Sequence, residues 1–289
     1  MKENEKKGIS LYIANLGKYN EGVLQGGWVD LPVTQEELDG FMAEKVGLCL
    51  DAEEASKRAA AGERVYEEYA IHDFDKSGLL KSLGMSPGEY DSLDDWNRLA
   101  VIAASEEFDP EVVRGWISSS CSPGAGDDPI AVASVILQHD EIPYRTLERP
   151  YEGASDMVSL VHTMVQGSEA EAKIQGLDET SFGGHHLSNY FDMESFGEAL
   201  AKDVEMLSGG FIDPHADGPD PDFYDRNEIC EIAEERMAAP AASKSCEGQR
   251  AGAPAKAASS PAADAKRAAA SAAARTPQAT PTHDMRKER

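Results

Sequence analysis

Three local patterns in this chain bring proton-transfer or metal-binding side chains close together. His72-Asp73 with Asp75 sets an imidazole beside two carboxylates, the pairing in which an acid orients a general base. His185-His186 offers adjacent imidazoles, and Asp213-x-His215-x-Asp217-Gly218 has the opening spacing of a calcium loop. None of them carries its chemistry through. One histidine beside acids, with no nucleophile arranged near it, is weak evidence of catalysis, and adjacent histidines rarely converge on one ion. The calcium pattern has histidine at its third position and Tyr224 where the twelfth-position glutamate belongs. Cys49, Cys121, Cys230 and Cys246 form no Cys-x-x-Cys pair, so no zinc or dithiol redox site is expected, and the thiols read as free in a reducing cytoplasm. No Gly-x-Ser-x-Gly elbow stands near a suitable histidine, and no glycine-rich phosphate loop precedes a helix. The expectation is a non-enzyme with no catalytic residues, no metal and no cofactor.

The chemistry that is abundant is negative charge. The 289 residues hold 53 Asp+Glu against 27 Lys+Arg, and the imbalance is uneven. Residues 1–235 carry 17 basic and 49 acidic side chains, a net of −32, whereas the chain from Arg236 onward carries 10 and 4, a net of +6. An acidic body thus bears a basic tail. Duplex DNA carries one charge per ~1.7 Å of axis, so −32 corresponds to roughly 54 Å of duplex, or about 16 base pairs. Such a body could fill a DNA-binding groove, although acidity of this kind also simply confers solubility. The body lacks the basic patch that grips phosphates, which argues against a conventional nucleic-acid binder. No apolar run approaches the ~18 residues of a membrane span, and the N-terminus MKENEKKGIS has no apolar stretch behind its charges, so neither a membrane segment nor a secretory signal is expected.

The elements that position these charges are legible in part. Residues 9–13 alternate as a strand, Tyr19-Asn20-Glu21-Gly22 is turn chemistry, and a second extended run passes through Trp28 and Val29 to Leu31. Together they read as a β-hairpin with a long loop. Thr34-x-x-Glu37 is a capping box before a short helix containing Leu38, Phe41 and Met42. Residues 51–64 look like a solvated insertion, and 66–74 like a third strand. Helix starts are expected at Ser86-Pro87-Gly88-Glu89 and at Ser92-x-x-Asp95, the latter leading an apolar stripe of Trp96, Leu99, Ala100 and Ala103. Asp109-Pro110 and Asp128-Pro129 start two more, completing a small helical module. Residues 142–147 turn extended, 155–166 are helical, and a helix is expected from Met193 to Leu207 with Asp192 as its cap. Trp28, Trp96 and Trp116 are all assigned to the core. From 236 on, Ala, Pro, Ser and basic residues cannot bury enough surface to offset their ordering entropy, so this tail is expected to be disordered. The fold class is α+β. The expected division is an N-terminal α+β domain (1–80), a helical middle domain (81–140), a C-terminal α+β domain (141–232) and the tail (233–289).

Specific segments resemble the ArdA family of antirestriction proteins. LYIANLGKYNEGVLQGGWVDLP (11–32) followed by EEYAIHDFD (67–75) carries the likeness most sharply. SLDDWNRL (92–99) and LSNYFDMESFGEALAKDVEMLSGGFID (187–213) extend it, the latter with the family's pattern at Asn189, Tyr190, Asp192, Phe196 and Gly197. The resemblance implies an elongated chain of three small domains that forms a homodimer through its C-terminal part. It also implies carriage on mobile genetic elements and carboxylates arrayed like the phosphates of bent B-form DNA. The implied partner is the specificity–methyltransferase core of type I restriction-modification enzymes, with no direct contact to nucleic acid. On that reading the carboxylates facing the partner are Glu67, Glu68, Asp91, Asp94, Asp95, Glu106, Glu107, Asp109, Glu111, Glu194, Glu198 and Glu205. The 51–64 insertion, the Pro- and Asp-rich stretch 214–232 and the basic tail depart from the family pattern. The alternative function is a general acidic interaction module or chaperone for basic proteins.

Overall fold

A computed structural model describes residues 8–121 and 123–238. Of the tail expected to be disordered, residues 233–238 are instead the end of a helix, with Ala233 buried and Arg236 paired to Glu106, and the remainder lies outside the described residues. The chain starts with β1 (Ile9–Asn15), whose Ile9, Leu11 and Ile13 are buried as their alternation requires. Asn15 ends the strand. Its side chain caps a helical turn, α1 (Leu16–Asn20), by accepting from the Lys18 amide at 2.9 Å, and it donates to Val46 O at 3.1 Å. The hairpin connection is therefore a helical turn followed by Gly22 in the left-handed region (φ 81°). β2 (Gly26–Leu31) returns antiparallel, with Ile9 opposite Leu31 and Ala14 opposite Gly26. A Cβ at Gly26 would stand 2.1 Å from Ile13 O, so only glycine allows this close approach. Trp28 faces outward at 52% exposure, which corrects its assignment to the core. The pleat decides this, because Val29 and Leu31 take the inner face and leave Trp28 with Asp30 on the other.

Thr34 forms the expected capping box with Glu37 at the start of α2 (Gln35–Phe41), which runs into a π-helical turn at Met42–Val46. The stretch read as an insertion is solvated but helical. α3 (Ala52–Ala60) is capped by Asp51, buries only Ala55, and carries Glu53–Lys57 and Glu54–Arg58 ion pairs one turn apart. β3 (Tyr69–Phe74) pairs antiparallel with β1, giving the order β2-β1-β3. Behind it α4 (Gly78–Leu83) buries Leu79, Leu80 and Leu83. No helix starts at Ser86, contrary to the capping signal. The Glu89 carbonyl instead accepts from the Ile71 amide of β3 at 2.8 Å, and Asp91 binds the Gly88 amide, so the backbone there is committed to the sheet's flank.

α5 (Leu93–Ser105) is capped by Ser92 and buries Trp96, Leu99, Ala100 and Ala103 as expected. Its Asn97 bonds both the amide and the carbonyl of Val33, at 2.9 and 2.8 Å, and so ties the helix to the chain leaving β2. α6 (Pro110–Ser120) and α7 (Pro129–Leu137) begin at Asp109 and Asp128 with proline in the first turn. β4 (Tyr144–Thr146) and α8 (Asp156–Val165) follow, then α9 (Glu169–Glu179) and the two-residue strands β5 (Ser181–Phe182) and β6 (His185–His186).

α10 (Met193–Leu200) lies on α8 so closely that a Cβ at Gly197 would stand 2.4 Å from Met157 O. It stops short of the expected Leu207. β7 (Glu205–Leu207) turns through Ser208-Gly209, with Gly209 at φ 78°, into β8 (Gly210–Ile212), because Gly-Gly at this point makes a tight hairpin that a continuing helix would forfeit. The sheet order is β4-β8-β7, and Leu147, Leu160 and Phe211 form its core with Leu200, Val204 and Met206 against them. The antiparallel sheets and separate helices make this an α+β fold. Beyond β8 an irregular segment is held by Trp116 Nε1 on Pro219 O (2.9 Å) and Gln138 Nε2 on Asp220 O (2.9 Å). It delivers α11 (Arg226–Ala238) against α5 and α7.

The Thr34 amide holds the Glu37 carboxyl below the usual glutamate range, so the box contributes fully above that range and is lost as pH falls through the lowered value. Thr34→Ala should lower the unfolding free energy by about 1 kcal/mol in urea titrations at pH 7, with a smaller difference at pH 3.

Candidate functional site

The residues suited to catalysis or metal binding are dispersed in the fold. His72 is half-buried on β3 with its ring against Tyr19, centroids 4.6 Å apart. His185 packs on Tyr190, and His186 Nδ1 lies 2.9 Å from Asp178 O. Asp213 accepts the His215 amide, and Asp220 the Asp222 amide, so both carboxylates stabilise turns rather than converge. Among the described residues no three His, Cys, Asp or Glu side chains gather where they could hold an ion. Burial, reinforced by Asp220 and Asp222, pushes the Cys121 thiol up, and burial does the same for Cys230, the opposite of activation.

The carboxylates divide sharply by environment. Glu67 and Glu68 are exposed just before β3, Asp94 in the first turn of α5, and Glu107 and Asp109 between α5 and α6. Glu194 and Glu198 lie exposed one turn apart on α10, and Glu194 also accepts from the Ser155 hydroxyl. On the same helix the cap Asp192 is held below the usual aspartate range, first by the Ser195 amide and then by its hydroxyl. Most of the remaining candidates are turned to internal use. Asp91 receives the Gly88 amide and Trp96 Nε1 (3.2 Å). Glu111 on α6 accepts the Ser208 amide at 3.1 Å and so fastens the β7–β8 turn. Glu205 is half-buried on a strand, where a helix face was expected, and Glu106 pairs with Arg236 at 2.7 Å.

Asp95 is the extreme case, 3% exposed and clamped between Arg98 (2.7 Å) and Arg226. Its carboxylate locks the start of α11 onto α5 and presents nothing to a partner. A buried carboxylate with fixed cations resists single-sided removal. Asp95→Asn should therefore destabilise the fold by about 2 kcal/mol in thermal or urea unfolding, discounted because Arg226 is largely solvated.

Sequence reasoning missed Asp30, Asp73 and Asp75 as surface acids, although all three are exposed around the N-terminal sheet. Strand alternation carried the signal, because Asp30 shares the outward face with Trp28, and Tyr12 pairs with both Trp28 and Asp73.

Exposed carboxylates thus lie on the sheet flank, in the helical layer and on α10. Comparison with known proteins adds the family. No curated protein matches the chain. Residues 11–213 match the family described as antirestriction protein (ArdA), a span that runs from within β1 to the end of β8 and includes the helices from α1 to α10. The chain belongs to the ArdA family of antirestriction proteins.

Proposed function

We propose that this protein blocks type I restriction-modification enzymes by occupying their DNA groove, its carboxylates standing in for DNA phosphates. The observation that carries the reading is how the charge is distributed. After the internally engaged acids are set aside, exposed carboxylates remain near β3 (Glu67, Glu68), in the helical layer (Asp94, Glu107, Asp109) and on α10 (Glu194, Glu198). Residues 1–235 keep a net of −32, and cations such as Arg98 and Arg236 are drawn inward onto acids. An enzyme that grips phosphates with several Lys and Arg side chains would meet the same charges at this surface. The activity is then occupation of a site, with no bond made or broken, and the protein protects incoming DNA without touching it.

A homodimer through the C-terminal part belongs to the same reading. α9 buries none of its residues, and beside it Phe182 is 86% exposed and Tyr190 69% exposed. Large apolar side chains left this exposed beside an unburied helix are what a second copy would cover.

Displacement of duplex DNA from a purified type I specificity–methyltransferase complex tests the function. The protein should compete with DNA for one site, and Glu198→Gln alone should weaken it by less than about fivefold. Adding Glu67→Gln, Glu107→Gln and Glu194→Gln should lower affinity cumulatively. Equal affinity for histones or polylysine would instead indicate a general acidic module. For the dimer, Phe182→Ser should shift the protein toward monomer in sedimentation equilibrium with its circular dichroism unchanged. A variant that stays as dimeric as the parent would count against this interface.

A further inference from the structure

The outward face of the N-terminal sheet carries an aromatic pair on an otherwise acidic surface. Tyr12 and Trp28 are opposite one another on β1 and β2, their rings edge to face with centroids 5.6 Å apart. Trp28 is about half exposed, whereas Trp96 and Trp116 are buried. Solvation does not require a tryptophan here, and exposed tryptophan is the residue type most enriched among binding hot spots. Its neighbours are carboxylates. Asp73 is opposite Tyr12 on β3, Asp30 follows Trp28 on the same face, and Asp75 lies past the end of β3 with its amide on Ser10 O (3.0 Å). Asp30 and Asp75 also line a cleft of about 320 Å³ beside the strands. The hydrogen bonds to these acids come from nearby groups: Ser10 donates to Asp30, the Phe74 amide to Asp73 and the Ser77 amide to Asp75. None of the three forms a salt bridge among the described residues.

We propose that this face is a docking spot for an arginine side chain from the DNA-gripping surface of the partner enzyme. The guanidinium lies against Trp28 and Tyr12, and its N–H groups reach the flanking aspartates. Charge complementarity selects a cation. The ring faces favour the planar, weakly hydrated guanidinium over an ammonium, because it stacks and donates in its own plane at once. Rings and cations already meet at this end of the molecule, where Lys18 Nζ stands 5.4 Å from the Tyr66 ring centroid. The inference rests on the reading that the partner offers its DNA groove, and it adds a contact that phosphate mimicry does not contain. A carboxylate array alone supplies charge, whereas an aromatic platform supplies a short-range contact that DNA phosphates lack.

The test measures affinity of the full chain for the specificity–methyltransferase complex at several salt concentrations. Trp28→Ala should weaken binding about tenfold while leaving the slope of log K against log salt unchanged, since no charge is removed. Trp28→Phe, which keeps a ring and guards against a folding defect, should recover most of that loss. In the parent protein, acrylamide quenching of Trp28 should fall on complex formation. Trp28→Ala binding within twofold of the parent, or quenching equal in the free and bound states, overturns the docking spot while leaving DNA competition intact. Loss of DNA competition with the Trp28 effect retained overturns the mimicry reading, and with it the assignment of the arginine to the DNA-gripping surface, while the contact at Trp28 itself stands.

Discussion

A body with a net of −32 stays folded only while apolar burial outweighs the mutual repulsion of its carboxylates. The fold meets this constraint by separating charge by depth. Trp96, Leu99, Ile102, Val132 and Ile136 make the helical layer nearly anhydrous, and α7 is buried along almost its whole length. Where an acid must lie near that layer it is given a cation or an amide. Arg98 and Arg226 hold Asp95, Arg236 holds Glu106, and Asp91 receives Trp96 Nε1. The exposed acids, by contrast, stand in solvent, some of them in surface ion pairs such as Glu53–Lys57 and Glu54–Arg58.

α5 is the element through which this separation acts on the rest of the molecule. It touches β1 and β2 on one side and α7 and α11 on another, and Asn97 fixes it to Val33. α6 in turn contacts β7 and β8, and its Glu111 secures the turn between them. The exposed acids of the sheet flank, the helical layer and α10 are therefore mounted on elements that pack on one another. A charge array can imitate a duplex only if its spacing is held, so rigidity of this layer is what the proposed function demands.

Local chemistry made much of this readable from the residues. Thr34, Ser92, Asp109, Asp128, Asp192 and the prolines after two of them announce helix starts that the structure contains, because an N-cap is settled within one turn. The failures were decided by distant parts of the chain. Ser86-Pro87-Gly88-Glu89 has the right cap, but Ile71 takes the Glu89 carbonyl. Val204 and Leu207 keep helical spacing from α10, yet Val204 lies in the bend that leaves the helix and Leu207 in a hairpin whose partner strand and Gly209 turn outweigh that period. Trp28 is the local exception: residue type alone points it inward, but the alternation with Val29 and Leu31 puts it outside. The acids show the same limit. Glu194 and Glu198 are where helical periodicity places them, whereas the burial of Asp95 depends on Arg226, which arrives from far along the sequence.

The proposed function requires that the partner treat this protein as it treats DNA. The most direct measurement is the salt dependence of its affinity for a type I specificity–methyltransferase complex, compared with that of duplex DNA for the same complex. Several phosphate-like contacts predict a steep linear fall of log K with log salt, of similar slope for both ligands. A slope near zero for the protein beside a steep one for DNA would contradict the account.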